Sequence, residues 1–175
     1  GGIYGWWGMN FMWSPNGQTL AYAQPNEIGI IDTNNGEFDP LLEINPLNTH
    51  SDWAWLPGFT WGGDSKTLYT VTHAPSQNNL LSPEESPYFD LSALSTSNAA
   101  NIKMADQTGM FAYPASSPLR PSGKEYMYQV AFLQAVFPSQ SESSRYRLVV
   151  MDRDGSNRHE VFPPEDTQGI HPQTP

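Results

Sequence analysis

Three groups of residues have types and spacings that could do chemistry. The first is a nucleophile set: Gly62-Gly63-Asp64-Ser65 places a serine after a glycine pair, and four histidines (His50, His73, His159 and His171) could serve as a base. A hydrolase nucleophile on this pattern would need a Gly-x-Ser-x-Gly elbow, which presents the hydroxyl on a strained strand-to-helix turn. The chain has no such segment, and no histidine falls in a catalytic motif. The second is Asp152-x-Asp154-Gly155-x-Asn157, which echoes the start of a calcium loop but lacks the Gly-x5-Glu continuation that completes the ligand shell. A hairpin turn explains the same residues, and His159 and His171 lack zinc-ligand spacing, so no metal or cofactor is expected. The third group is aromatic. Trp7, Trp55 and Tyr113 recur at wide intervals, each a flat amphipathic surface of the kind that binds a sugar, a peptide or a partner protein.

Composition narrows the elements that can hold these residues. Only 15% of the 175 residues are charged, while Gly (14), Pro (16) and 13% aromatics favour short strands and turns over long helices. Six Trp, eight Tyr and eight Phe are enough to build a core, which excludes a disordered chain. A net charge of −10 with three Lys argues against nucleic acid and anionic membrane surfaces, where basic residues supply the affinity. No run approaches the ~20 apolar residues of a membrane span, so no membrane insertion is expected. Zero Cys excludes disulfides and thiolate metal sites. The chain opens Gly1-Gly2-Ile3 in mid-pattern, which reads as a segment of a longer protein.

Internal periodicity organises the rest. At an offset of 48, Trp7 meets Trp55, Phe11 meets Phe59, Trp13 meets Trp61, Thr19 meets Thr67 and Leu20 meets Leu68. A further offset of 58 gives a weaker third copy, Tyr113 to Tyr128, with Leu119 at the Trp13 position and Pro121 and Gly123 matching Pro15 and Gly17. His171, in Gly169-Ile170-His171-Pro172, stands at the start of a possible fourth. Each copy predicts a short strand ending at Trp13, Trp61 or Leu119, then a tight turn rich in Gly, Pro, Asn, Asp and Ser. Second strands are expected at Thr19–Ala23, Thr67–His73 and Glu125–Phe132. Third strands follow at Ile28–Asp32, Tyr88–Leu94 and Tyr146–Asp152, and fourth strands at Phe38–Ile44, Asn101–Ala105 and His159–Phe162. Asn-Gly and Asp-Gly between apolar runs are hairpin signals.

Four antiparallel strands per repeat of ~45–60 residues describe the blades of a β-propeller. The expected fold class is all-β, with about three blades of a larger propeller spanning roughly 1–50, 51–108 and 109–167 and the start of a further blade at 168–175. "WSPNGQTLAYA" (Trp13 to Ala23) resembles the strand-turn-strand of TolB-like (WD-like) β-propeller repeats, and Val149 to Arg158 resembles their outer-strand turn. Copy two departs from that pattern at Gly62-Gly63-Asp64-Ser65, and copy three at Leu119-Arg120.

The resemblance implies a six- to eight-bladed ring in an extracytoplasmic bacterial protein, periplasmic, secreted or at the cell surface. It also implies use as an interaction platform or as a gate beside a serine-peptidase domain. Three blades cannot close a ring, so the remaining blades of the same propeller are expected partners.

Phe11, Trp13, Phe59, Trp61 and Leu119 are expected to pack between blades. Trp7, Trp55, Tyr113 and His171 are the candidate ligand-binding residues, at the start of the innermost strands. That end of each blade also carries the second-to-third strand loops, long at Ala74–Pro87 and Leu133–Arg145, and loops of that length are often functional. The leading expectation is a non-catalytic module binding a protein, peptide or glycan. The alternatives are a propeller gating a hydrolase encoded elsewhere, and a propeller lyase or glycosidase with its chemistry at the central channel.

Overall fold

A computed structural model describes residues 8–76, 81–122 and 125–172. The strands are β1 (Asn10–Trp13), β2 (Leu20–Gln24), β3 (Glu27–Ile31), β4 (Phe38–Glu43), β5 (Phe59–Trp61), β6 (Thr67–Ala74), β7 (Tyr88–Ser95) and β8 (Asn101–Ala105). They continue with β9 (Ala115–Ser116), β10 (Arg120–Ser122), β11 (Glu125–Met127), β12 (Gln129–Ala135), β13 (Tyr146–Asp152) and β14 (His159–Phe162). Among the described residues they form three four-stranded antiparallel sheets, β1-β2-β3-β4, β5-β6-β7-β8 and β9-β12-β13-β14, with β10-β11 a separate hairpin. Each sheet is one sequence repeat, and the sheets stack as blades.

The turns follow from their residues. In the first, Ser14 N–H donates to Thr19 O and Gly17, at φ +71°, donates to Ser14 O. The Asn16 carboxamide oxygen accepts from Gln18 N–H, closing an Asx turn. The corresponding turn in the second blade has Asp64 in the same role, its Oδ1 accepting from Lys66 N–H and Thr67 N–H. Gly62-Gly63-Asp64-Ser65 is therefore a hairpin turn. Asp152 and Asp154 likewise serve their own turn, accepting from Asn157 Nδ2 at 2.6 Å and from Ser156 N–H and Oγ–H.

Packing between the sheets makes the core. Small Ala21 and Ala23 of β2, with Ile28, receive the large Phe59, Trp61, Leu68 and Val71 of the second blade. Between the second and third blades, Tyr69 and Leu91 meet Val130, Phe132, Val149 and Met151. The middle blade is covered on both faces, so β6 is buried almost continuously instead of alternating. Polar contacts fix the spacing. Trp61 Nε1–H donates to Met12 O at 2.9 Å, and Tyr69, Tyr128 and Asp64 form a chain of hydroxyl and carboxylate contacts of 3.1 and 2.9 Å. Burial pushes both phenols above the usual tyrosine range.

Two sequence expectations about packing are corrected. Phe59 and Trp61 are buried, but Phe11 and Trp13, their repeats in the first blade, are 54% and 53% exposed. The cause is position: β5 docks on the first blade, whereas no described residue lies against β1 in the same way. Leu119 is exposed as well, and for a different reason. The innermost strand of the third blade is β9, which ends at Ser116, and Ser117 N–H pairs with Gln129 O as Gly62 N–H pairs with Thr67 O. The β10-β11 hairpin is inserted before the second strand β12, so the strand expected at Glu125–Phe132 is split between two sheets.

Candidate functional site

Strand direction sorts the connections between the two ends of the blades. At one end lie the tight turns that follow the innermost strands. The other end carries the β2-β3 turn, the linkers between blades (44–58 and 106–114) and the loops 75–87 and 136–145. Among its described residues each long loop contains one 3-10 turn, Pro83–Glu85 and Pro138–Gln140. The second loop reaches across to β7 of the neighbouring blade, so the segments meet over the junction of the second and third blades.

The meeting point is a groove of about 580 Å³. Its floor is apolar: Leu47 from one linker, Met110 from the next, and Pro87 and Phe89 at the start of β7. The 136–145 loop supplies Ser139 to Ser143 as one rim, and His171 supplies another part of it. Internal bonds hold the loop rigid. Ser144 Oγ accepts from Phe137 N–H at 2.9 Å, and Tyr146 Oη–H donates to Ser141 O at 2.7 Å. Burial pushes the Tyr146 phenol up to about 12.

Three of the four residues expected to bind ligand fall among the described residues, and these three separate. Trp7 lies outside the described residues. Trp55 is 4% exposed beneath the groove, its ring 4.8 Å from Phe89 and its Nε1–H donating to Met110 O at 3.1 Å, so it supports the floor from below. Tyr113 is 50% exposed, at φ +42°, with its ring 5.8 Å from Phe111. Burial raises its phenol above the usual tyrosine range. It packs beside Gly58, three residues beyond the level of Trp55. The hydrogen bonds of the innermost strands show the displacement made by the inserted hairpin: Leu133 N–H donates to Ala112 O as Val71 N–H donates to Gly58 O, so Tyr113 does not share the level of Trp55. His171 is exposed at the rim, next to the Tyr146–Ile170 bridge. Of the four, His171 and Trp55 converge on the groove.

Sequence reasoning missed Leu47, Phe89, Met110 and the buried His73. Each looks like ordinary core or linker in sequence, and only blade stacking brings them together. Among the described residues, no three His, Asp or Glu side chains cluster so as to hold a metal ion, and no helix is long and apolar enough to cross a membrane.

No protein-family profile and no curated sequence matches the chain. Solved structures do. An oligogalacturonate lyase in complex with manganese superposes with a TM-score of 0.51 at 12% identity, over 87% of this chain and 39% of the lyase. A putative TolB from Agrobacterium tumefaciens superposes with a TM-score of 0.52 at 14% identity, over 88% of this chain and 49% of that one. This chain thus spans less than half the length of either. Likeness at such identity speaks to architecture and not to activity. Consecutive four-stranded meanders stacked face to face, together with these superpositions, identify the fold as that of a TolB-like β-propeller.

Proposed function

We propose that this chain is a non-catalytic binding module of a larger extracytoplasmic protein, and that it holds a peptide segment of a protein partner on the loop-bearing end of its blades. One observation carries the reading: two interblade linkers and two long loops converge on a groove with an apolar floor and a serine-, glutamine- and glutamate-lined rim. Apolar grooves with a few polar groups at the edge suit side-chain anchors of a peptide. A sugar would call for an exposed aromatic plate, and the aromatic ring of the floor, Phe89, is 2% exposed. Glu142 on the rim, Glu84 and Glu85 on the neighbouring loop and the net charge of −10 favour a basic partner segment and a salt-sensitive association rate.

The blade division at about 50 and 108, and completion of the ring by further blades, belong to the same proposal. Exposure of Phe11 and Trp13 supports it, because their counterparts Phe59 and Trp61 are buried by a neighbouring blade.

A displayed library of random decapeptides, selected on the chain, supplies the probe. Selected peptides should carry an apolar residue beside Lys or Arg. Leu47→Glu and Gln140→Ala should weaken them at least tenfold, while a substitution in the opposite end, Asn16→Ala, leaves them unchanged. Peptides that bind Leu47→Glu as tightly as the parent chain would refute the site.

A further inference from the structure

His73, the penultimate residue of β6, is 4% exposed. Its ring stacks on Phe89 at 4.9 Å and meets the edge of Trp55 at 6.4 Å. Both ring nitrogens face backbone carbonyls: Nδ1 lies 3.0 Å from Asn45 O and Nε2 lies 2.7 Å from Ser86 O. A carbonyl oxygen only accepts, so each contact needs a proton on the ring nitrogen. A neutral imidazole carries one N–H and an imidazolium carries two. With a neutral ring, one carbonyl would face a lone pair at hydrogen-bond distance in a buried site, which is strongly unfavourable.

The charged groups of the adjoining cleft are of one predominant sign. Glu27 and Glu43 of the first blade and Asp90 of β7 line the cleft that His73 also lines. Against them stands Lys103 of β8, whose ammonium lies 3.3 Å from the Asp90 carboxylate. β6 itself contributes no charged side chain.

A second histidine joins the same two segments. His50 Nε2 lies 3.0 Å from Glu85 Oε2, Asn48 Nδ2–H donates to Glu85 Oε1 at 2.7 Å, and Asn48 N–H donates to Glu84 O at 2.9 Å. Asn45, Asn48 and His50 belong to the 44–58 linker, and Glu84, Glu85 and Ser86 belong to the 75–87 loop. These segments also carry Leu47 and Pro87, two residues of the groove floor.

We propose that His73 is held as an imidazolium bridging Asn45 O and Ser86 O, and that with His50 it forms a proton-dependent clasp between linker and loop. The clasp goes beyond the binding reading and holds whatever the groove receives. Its two limits have opposite signs. The imidazolium bridge is complete at low pH and is lost as pH rises and the ring gives up its second proton. The Glu85 carboxyl is held below its usual range, first by the His50 hydrogen bond and then by that of Asn48. A depressed carboxyl stabilises above its unfolded range, and that contribution is lost as pH falls through the lower folded value. The clasp is therefore tightest between these limits.

The test is imidazole nitrogen NMR on the chain without ligand, combined with amide exchange corrected for intrinsic rates, from about pH 5 to about pH 8. At the acid end both His73 ring nitrogens should be protonated. At the alkaline end protection of Glu85 and Ser86 should fall ~10-fold, the consequence of one buried carbonyl losing its donor. In His73→Phe combined with His50→Gln, which keeps the stacked ring and removes both imidazoles, that pH dependence should disappear. Should this variant not fold, the parent titration decides alone. A single protonated ring nitrogen at the acid end, or protection independent of pH, overturns the proposal. Neither readout involves peptide binding, so failure of the clasp and failure of the groove are told apart.

Discussion

Truncating Trp61 and truncating Trp13 should have very different costs, although the two residues hold the same place in successive repeats. Trp61 is 3% exposed, packs against the first blade and donates to Met12 O, whereas Trp13 is 53% exposed. A buried Trp removes about 150–250 Å² from water. At about 25 cal/mol per Å² that is an upper bound of about 4–6 kcal/mol. Measured losses for Trp→Ala in cores run at about 3–5 kcal/mol, so about 4 kcal/mol is expected for Trp61→Ala. Trp13→Ala, with about half its surface already wet, should cost at most about 2–3 kcal/mol by the same area arithmetic. Trp61→Phe keeps most of the packing and removes the donor to Met12 O, at about 1–2 kcal/mol. Urea unfolding followed by circular dichroism measures all three as shifts of the midpoint at constant slope. A domain stable by about 5–15 kcal/mol tolerates Trp61→Phe even if Trp61→Ala unfolds it. Equal losses for Trp13→Ala and Trp61→Ala would refute the assignment of the first blade's face as open and the blade interface as the source of stability.

Further expectations concern the other buried groups. Burial raises the phenols of Tyr22, Tyr69, Tyr128 and Tyr146. For such groups the native state binds more protons than the unfolded state above about pH 10, so stability is intact below that value and falls as pH rises through it. Urea midpoints at about pH 9 and about pH 11 should show the drop, and Tyr69→Phe should flatten it. Gly109→Ala should cost about 2–4 kcal/mol, because φ is +91° and a Cβ would stand 2.7 Å from Tyr146 Oη and 2.8 Å from the Ala135 Cβ. An unchanged melting temperature would contradict that geometry. Tyr113→Ala should leave the fold intact and weaken peptide binding less than Leu47→Glu does, since Tyr113 stands beside Gly58 and not on the groove floor. Titration of a selected peptide against both variants checks the order.

The blades could be read in the sequence because each is local. Asn101–Ala105, Tyr146–Asp152 and His159–Phe162 form strands at the expected bounds, since each hairpin is set by its own turn residues and alternating apolar pattern. The third repeat slipped because Pro118 to Ser122 has the look of an innermost strand before a turn. Only the hydrogen-bond register shows that it belongs to an inserted hairpin. Burial of Phe11 and Trp13 was misjudged on the same kind of ground: repeat position predicts which way a side chain points, while its cover depends on the neighbouring blade. The groove was the least legible part. Leu47, Phe89, Met110, Gln140 and His171 are 20 or more residues apart, with no shared spacing. Their meeting depends on how three blades stack. The loop-bearing end as a whole was visible, because strand count and loop length alone place the two long loops together.

The most direct measurement is hydrogen–deuterium exchange of the chain with and without a selected basic decapeptide at saturating concentration. Binding at the loop-bearing end should protect amides in the 44–58 linker, the described part of the 75–87 loop and the 136–145 loop. The turns 14–18, 62–66 and 153–157 at the opposite end should not change. Protection confined to those turns, or to the β1 face around Phe11 and Trp13, would place recognition elsewhere and contradict the proposed binding face.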